Sequence, residues 1–418
     1  MSPLRKSAVE LNRQIAALFK LRRFGIRLGL DRVREAAARL GNPERRFRVV
    51  HVAGTNGKGS TAAMCERILR ANGYRVGLTT SPHLVHLHER YLVNGRAITD
   101  AALARHLARI RETGLPLTFF EVATLAALLH FAEARVNWGV VEVGLGGRLD
   151  ATNIVIPDVV ILTPVALDHT EHLGDTLTTI AREKLGIVKR GVPVVCGWRE
   201  PSLQRLVERK CAALDAPLSL VGRDFDSAPL TLKRRGEKFT YSDDRSSRSF
   251  EVSLAGRHQV TNAALAIRAM RTLGVANSTI SAGLRHIRWP GRFDRVGRFI
   301  LDGAHNPHGI RALVAELSRR FPGSRFPIVF AAMRDKAIPE MLRALAPVAS
   351  HFHFVRVDNT RGINLAELYA LSRTLAISSS RHSTIGAALG ATHSVTVITG
   401  SLYLVGAALA SLRVTGLP

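Results

Sequence analysis

Cysteine is scarce: Cys65, Cys196 and Cys211 are the only three in 418 residues. No two form a C-x-x-C pair and their number is odd, which argues against a disulfide framework and makes a reducing, cytoplasmic compartment the expectation. Long hydrophobic runs are missing as well. No apolar stretch approaches ~20 residues, and the start of the chain mixes Arg5, Lys6, Glu10, Arg13, Lys20, Arg22 and Arg23 with short apolar pieces, so neither a signal-peptide core nor a membrane partner is expected. Aromatic residues amount to 6%. Without a helix-turn-helix, a zinc-finger spacing or an RNP-type aromatic motif beside them, nucleic acid is not expected as a partner, even at a pI near 11.3. Acidic residues are the last shortage: 33 against 59 basic ones, a formal net charge of +26. The excess is spread along the chain and favours anionic partners such as nucleotides or polycarboxylates without choosing among them.

What the chain does have is length and rhythm. At 418 residues it exceeds one compact core and predicts two domains. Its centre is the stretch His51-Val-Ala-Gly-Thr-Asn-Gly-Lys-Gly-Ser-Thr61. A β-rich run from Phe47 to Val52 enters three glycines and helix formers follow, which is a strand, a phosphate-cradling turn and a helix N-terminus. Gly54, Gly57 and Gly59 let backbone N–H groups near phosphate oxygens, Lys58 supplies a point charge, and the Ser60 and Thr61 hydroxyls stand where a phosphate or Mg²⁺ contact would be. Val52 replaces the first glycine of the general G-x-x-x-x-G-K-[ST] pattern, and Gly59 separates the lysine from the hydroxyl.

Residues 8 to 40 predict two helices broken near Phe24-Gly-Ile-Arg-Leu-Gly29, with Asp31 as an N-cap. After the turn, strand, loop and helix alternate as in a doubly wound, mostly parallel sheet. Leu218 to Phe225, Leu230 to Tyr241 and Ser249 to Leu254 predict a small antiparallel patch. Arg288-Trp-Pro-Gly-Arg-Phe-Asp294 marks the joint between domains, because Pro-Gly fits neither neighbour. The expected division is 1–289 for a first domain, 290–296 for a linker and 297–418 for a smaller α/β domain.

Three ligand types for a hard cation stand at predicted strand ends along one sheet edge: Ser81, Glu142 and His169. Mg²⁺ takes one or two carboxylates together with phosphate oxygens and water, so a sparse set of this kind suits a magnesium nucleotide. Singly, each reads as ordinary: a Ser-Pro turn, a paired strand carboxylate, a loop histidine beside Asp168. In Leu301-Asp-Gly-Ala-His-Asn-Pro307 a strand delivers Asp302 and His305 to the loop before a helix. They are either an Asx-type turn with a cap, or an acid–base pair carried to an interdomain cleft. Arg292, in the joint, is either solvated or reaches a phosphate.

The motifs in order, Phe24-Gly-Ile-Arg-Leu-Gly-Leu, Gly-Asn-Pro43, the turn above, Thr-Ser-Pro-His-Leu84, Phe-Phe-Glu-Val-Ala-Thr-Leu125, Glu-Val-Gly-Leu-Gly-Gly-Arg-Leu-Asp-Ala-Thr-Asn153, Leu-Asp-His-Thr170, Glu-Lys-Leu-Gly-Ile187, Pro-Gly-Arg-Phe293, Asp-Gly-Ala-His-Asn-Pro307 and Thr-Gly-Ser-Leu-Tyr-Leu-Val-Gly406, resemble the folylpolyglutamate synthase/dihydrofolate synthase family of the Mur ligase superfamily. The resemblance runs from about residue 16 to the C-terminus. It implies a P-loop ATPase-like first domain that binds ATP and a pterin, and a Rossmann-like glutamate-ligase second domain. It further implies that Gly54, Thr55, Asn56, Gly57, Lys58, Gly59 and Ser60 hold the ATP phosphates, with Asn262, Arg292 and Asp302 completing the nucleotide site. Ser81 and Glu142 would bind one Mg²⁺ and His169 a second. Lys184 would be carbamylated by CO₂ and face the metal; spacing alone reads it as an ordinary helical lysine. Thr118, Phe119, Phe120 and Glu121, with Leu149, Asp150 and Ala151, match the segments that bind the pterin. Two places depart from the family pattern: His88, where an asparagine is usual before Glu-Arg, and Val357-Asp-Asn-Thr-Arg-Gly362, a loose version of a Pro-Arg segment.

The expected activity is ATP-dependent amide formation. The carboxylate of dihydropteroate or a reduced folate attacks the γ-phosphate, and L-glutamate displaces phosphate from the acyl phosphate; Lys58, Asp302 and His305 are the expected catalytic residues. A monomer acting on small molecules is expected. A Mur-type peptidoglycan ligase is the nearest rival, but it would carry a domain of ~100 residues ahead of the turn, where this chain has about 50. A basic nucleic-acid-binding ATPase is the rival of another class.

Overall fold

The computed structural model describes residues 3–21, 29–233, 236–357 and 362–414. The centre of the chain is an eight-stranded sheet: β1 (Arg48–Ala53), β2 (Val76–Thr79), β3 (Leu92–Val93), β4 (Arg96–Ala97), β5 (Trp138–Glu142), β6 (Val159–Leu162), β7 (Val194–Cys196) and β8 (Leu218–Leu220), in the spatial order β4-β3-β2-β5-β1-β6-β7-β8. The six strands from β2 to β8 pair in parallel, and only the β2-β3-β4 edge is antiparallel. Parallel strands must be covered on both faces, and the valine-rich runs of β1, β5 and β6 are buried accordingly. On one face the helices Lys58–Ala71 and Arg257–Thr272 pack side by side against the sheet, so that Ile68, Leu69, Ala263 and Leu265 share one core with Val50, Val52 and Ile161. Each buried valine, leucine or isoleucine among them contributes roughly 1.5–3 kcal/mol through burial. The other face is covered by the helix Phe119–Glu133 and the helices Asp31–Arg39 and Asp100–Glu112. The result is that the C-terminal ends of β1, β2, β5 and β6 emerge at one edge, carrying the turn, Ser81, Glu142 and His169.

The second domain is a six-stranded sheet of β12 (Asp294–Val296), β13 (Phe299–Leu301), β14 (Phe326–Phe330), β15 (Ala349–Val355), β16 (Ser379–His382) and β17 (Thr396–Thr399), ordered β12-β13-β17-β14-β15-β16 and parallel except for β12. Between the two sheets stand β9 (Phe225–Leu232), β10 (Glu237–Asp243) and β11 (Ser246–Val252), an antiparallel three-stranded sheet. Phe239, Tyr241 and Phe250 tie it to the core of the helix Arg257–Thr272.

Four readings of the sequence change. The antiparallel patch is present but divided differently: Leu218–Leu220 joins the large sheet beside β7, and the stretch from Leu230 to Tyr241 is shared between the end of β9 and the antiparallel β10, where Lys233 N–H donates to the Gly236 carbonyl. Asp31 is the first residue of its helix and not its cap, which is Leu30; its charge acts on the helix dipole instead. The stretch 290–296 is only partly a linker, since Asp294–Val296 pairs with β13 as the edge of the second sheet. Finally β16 and the helix Ile385–Gly390 had no pattern strong enough to predict them. The break at 24–28 and the loose Pro-Arg segment at 358–361 lie outside the described residues.

A buried ion cluster joins the first domain's satellite sheet to the second domain. Glu237 on β10 receives Arg319 and Arg320 from the helix Pro307–Arg320, and Glu316 on that helix receives both as well. Arg320 also donates to the Gly236 carbonyl at 3.2 Å. Both carboxylates are shut off from solvent.

Candidate active site

The turn after β1 is shaped by its glycines. Gly54 has φ +153°, where a Cβ would fall 1.8 Å from the Thr163 hydroxyl oxygen, and Gly57 has φ +87°, where a Cβ would fall 2.3 Å from the Asn262 Oδ1. Neither position admits a side chain, and Asn262 therefore lies directly on the turn. Asn262 donates to Gln259 Oε1 at 3.0 Å, and Gln259 donates to the Ser60 hydroxyl at 3.4 Å, so the helix Arg257–Thr272 holds the start of the helix Lys58–Ala71. The Lys58 ammonium folds over the turn and donates to the carbonyls of Gly54 and Thr55 at 3.1 and 3.0 Å. Lys184, buried at the end of the helix Leu177–Lys184, donates to the same Gly54 carbonyl at 2.8 Å. Burial, and after it the nearby Lys58 charge, lowers the Lys184 pKa to about 7.

Glu142 ends β5 beside this turn. Its Oε2 accepts the Ser81 N–H at 3.0 Å, and a Cβ placed on Gly59 would lie 3.5 Å from it. Burial pushes the Glu142 carboxyl up, against the pull of Lys58 and the Ser81 N–H. The peptide bond from Ser81 to Pro82 is cis. These two predicted ligands therefore meet at one point next to the phosphate turn. His169 stands elsewhere on the edge, in the left-handed region at φ 52°, with Nδ1 3.9 Å from Asp335 of the second domain. Burial lowers its pKa to about 4, so the ring is neutral at physiological pH and its lone pair is free to ligate.

From the second domain come Asp302, His305, Asn306, His308 and Lys336. The two Asp302 oxygens accept the Phe293 and Ala304 N–H groups, each at 2.9 Å, which pins the loop to the joint. The expected Asp302–His305 pair is thus not what forms. His305 Nδ1 donates to the Gly303 carbonyl at 2.8 Å, and Nε2 faces Asp168 of the first domain at 3.5 Å. Asp168 also accepts from Asn306 Nδ2 at 3.0 Å and pairs with Lys336, a cation only 5% exposed. Although burial alone would raise it, the Asp168 carboxyl is held well below the carboxylate range by His305, His169 and Lys336. Asn306 Nδ2 reaches Asn56 Oδ1 at 3.0 Å, and Asn56 Nδ2 lies 3.0 Å from His308 Nδ1, so the phosphate turn itself touches the second domain. Arg292 packs on Gly303, where a Cβ would be 2.4 Å from its Nη1, and it acts electrostatically on Glu142.

The segments matched to pterin binding divide in two. Thr118 and Glu121 form a reciprocal helix cap, and Arg32 pairs with Glu121 at 3.1 Å. Asp150 is buried with its oxygens taken by the Leu145 and Thr152 N–H groups and the Thr152 hydroxyl, and Ala151 belongs to the core. The accessible part is aromatic. Phe119 stacks on Phe19 under the Arg90 guanidinium, and Phe120 lines a small cavity with Thr80, Ser81, Arg90 and Glu142; Leu149 is half-buried.

Sequence reasoning did not single out Asp168, Asn306, Gln259 or Lys336. Asp168 and Asn306 sit inside motifs that were noticed for their histidines, while Lys336, in Met333-Arg-Asp-Lys336, carries no local signal at all.

Residues 52–270 match the Mur ligase middle domain, and residues 291–402 match the Mur ligase glutamate ligase domain. The chain is 36% identical over 373 residues to the dihydrofolate synthase/folylpolyglutamate synthase of Bacillus subtilis, covering 84% of this chain and 86% of that one. Among solved structures it superposes on the folylpolyglutamate synthase of Thermotoga maritima with a TM-score of 0.84 at 32% identity, covering 97% of both chains. It also superposes on Escherichia coli FolC in complex with DHPP and ADP, with a TM-score of 0.87 at 31% identity, covering 96% of this chain and 98% of that one. With both domains matched in order and the phosphate turn closed against the second domain, the chain belongs to the Mur ligase family, among the dihydrofolate synthases/folylpolyglutamate synthases.

Proposed function

We propose that this protein joins L-glutamate to the carboxylate of dihydropteroate or a reduced folate at the expense of ATP, through an acyl phosphate. The observation that carries the reading is the direct contact of Asn56, in the phosphate turn, with Asn306 and His308 of the second domain: a nucleotide lying on the turn would have its terminal phosphate at the domain boundary. The glycine-shaped turn and the N-terminus of the helix Lys58–Ala71 cradle the phosphates, with Asn262 against the turn. Lys58 exchanges the Gly54 and Thr55 carbonyls for phosphoryl oxygens and opposes the charge that develops as the substrate carboxylate attacks. The half-buried rings of Phe119 and Phe120, beside Ser81 and Glu142, offer an aromatic edge on which the pterin-bearing substrate would lie with its carboxylate pointing at that phosphate.

The donor set suits magnesium beside the phosphates: Glu142 is buried, accepts one backbone N–H and neighbours the Ser81 side chain, which together offer hard oxygens. Ser81 and Glu142 would hold one ion, and His169 with a carbamylated Lys184 a second; bound there, the ions neutralise phosphate charge. The lowered Lys184 pKa supports carbamylation, since only the neutral amine adds to CO₂, releasing a proton and leaving an anionic oxygen donor. On the other side of the cleft Asp168 holds His305, Asn306 and Lys336 and keeps the second domain against the acyl phosphate, which excludes water until glutamate arrives. His305 accepts or relays the proton lost by the glutamate amine.

The test is ADP release with ATP, glutamate and either dihydropteroate or a reduced folate. Turnover requires all three substrates, and Lys58→Ala or Glu142→Ala lowers it by at least ~10²-fold while thermal unfolding stays cooperative. Turnover that ignores glutamate, or that requires DNA or RNA, overturns the reading.

A further inference from the structure

Position 59 is where the phosphate turn departs from the general G-x-x-x-x-G-K-[ST] pattern, which puts a hydroxyl directly after the lysine. Gly59 brings no side chain there, and another residue takes up the space. A Cβ built on Gly59 would stand 3.3 Å from Nε1 of Trp289, 3.7 Å from its Cζ2 and 3.5 Å from Glu142 Oε2. The edge of the indole that carries the N–H therefore faces the first turn of the helix Lys58–Ala71, at the same point as the Glu142 carboxylate. That N–H has no acceptor among the described residues, whereas the N–H of the buried Trp198 donates to the Thr163 carbonyl at 3.0 Å. Trp289 is held in this attitude from both sides. Its half-buried ring packs on the core that the helices Lys58–Ala71 and Arg257–Thr272 share. Pro290 disfavours helical backbone at Trp289, and the Gly291 carbonyl, two residues on, accepts the Gly303 N–H of the second domain at 2.9 Å.

We propose that Trp289 is a nucleotide-binding residue: its indole N–H donates to an oxygen of the β- or γ-phosphate in the space that Gly59 leaves open. The inference rests on the reading of the turn as an ATP site and adds to it a residue from the joint between the domains. The start of the helix Lys58–Ala71 draws phosphate oxygens to this place through its free N–H groups, and an indole nitrogen is a donor only, so an anionic oxygen is the partner that suits it. In the general pattern the hydroxyl after the lysine faces the magnesium ion. An indole cannot do that, and it need not, because Ser81 and Glu142 bring hard oxygens to the same point. The two duties of one hydroxyl, toward the cation and toward the phosphate, are thus divided here between the sheet edge and Trp289. Gly59 is required by the same arrangement, since a side chain there would take the space between the indole nitrogen and Glu142.

The experiment is titration of the full chain with the non-hydrolysable ATP analogue AMPPCP, and separately with AMP, in excess Mg²⁺, read by calorimetry and by tryptophan emission. Trp138 and Trp198 are 2% and 1% exposed, so Trp289 is the indole whose emission a nucleotide is expected to move. AMPPCP shifts the wild-type emission. Trp289→Phe, which keeps an aromatic ring and removes the donor, abolishes that shift and weakens AMPPCP by about 10-fold, while its affinity for AMP is unchanged. Thermal unfolding without nucleotide confirms that the variant folds, and the wild-type emission is a measurement that does not depend on the variant. AMPPCP affinity equal in the two proteins, equal losses for AMP and AMPPCP, or a wild-type emission that AMPPCP does not move overturns the proposal and leaves the ATP site standing. A wild-type chain that binds no AMPPCP overturns the ATP site itself and the proposal with it.

Discussion

Lys58 and Lys184 place their ammonium groups on a single acceptor, the Gly54 carbonyl, at 3.1 and 2.8 Å. Burial, and after it the Lys58 charge on the same oxygen, lowers the Lys184 pKa to about 7. Between that value and its ordinary 10.5, the unfolded chain binds a proton at this lysine that the folded chain does not, so folding stability rises with pH across this window. Replacing Lys184 by Met is expected to flatten that rise. Denaturant unfolding at neutral and mildly alkaline pH, in CO₂-free buffer, measures it; an equal rise in both proteins contradicts the assignment.

Gly57→Ala is expected to fold and to bind nucleotide poorly. The left-handed backbone costs ~1 kcal/mol, and the new Cβ would meet Asn262 Oδ1 at 2.3 Å. ADP affinity should fall by about 10-fold or more. In Gly57→Ala/Asn262→Gly, where the clash is absent, part of the loss should return by equilibrium binding.

How much of this could be read beforehand follows from the range of each interaction. The turn was legible because its strand, glycines and helix are consecutive, and β-type and helical periods change within ten or so residues of it. The edge carrying Ser81 and Glu142 was legible for a similar reason, since parallel strands deliver their C-terminal ends to one side. Asp168 was not, because its partners Asn306 and Lys336 are 138 and 168 residues away and belong to another domain. The cap at Thr118 and Glu121 is local and its Thr-x-x-Glu pattern stands in the sequence; it was passed over because the family resemblance offered the same two side chains to substrate. The division of Leu230 to Tyr241 between β9 and β10 was hidden by charged residues where a stronger turn dipeptide would have marked it.

Asp168→Asn tests the contact between the domains. With the folded carboxyl held below its ordinary 3.8, the unfolded chain takes up the proton first as pH falls, so the native protein loses stability in acid and keeps this contribution above about pH 5. The asparagine variant should show a shallower acid loss and, at neutral pH, be less stable by up to about 3 kcal/mol, moderated because Lys336 retains Asp335 at 3.1 Å. Urea unfolding as a function of pH gives both slopes.

Glu237→Ala removes the carboxylate on which Arg319 and Arg320 converge from the second domain. Glu316 remains as a partner for both, yet a buried cation pair then shares one anion, and a loss of roughly 3 kcal/mol is expected. Because these side chains bond to one another and to Lys233, Gly236 and Gly256 rather than to the phosphate turn itself, KM for ATP should change less than stability. A variant with unaltered melting behaviour would show that the cluster does not hold the domains.

The claim on which the account rests is that the substrate's carboxylate attacks phosphorus before the amine attacks carbon. Dihydropteroate carrying heavy oxygen in its carboxyl group, turned over with ATP and glutamate, tests it by mass spectrometry of the released phosphate. One labelled oxygen in phosphate for each amide formed is the predicted result, and amide formation with unlabelled phosphate would contradict it.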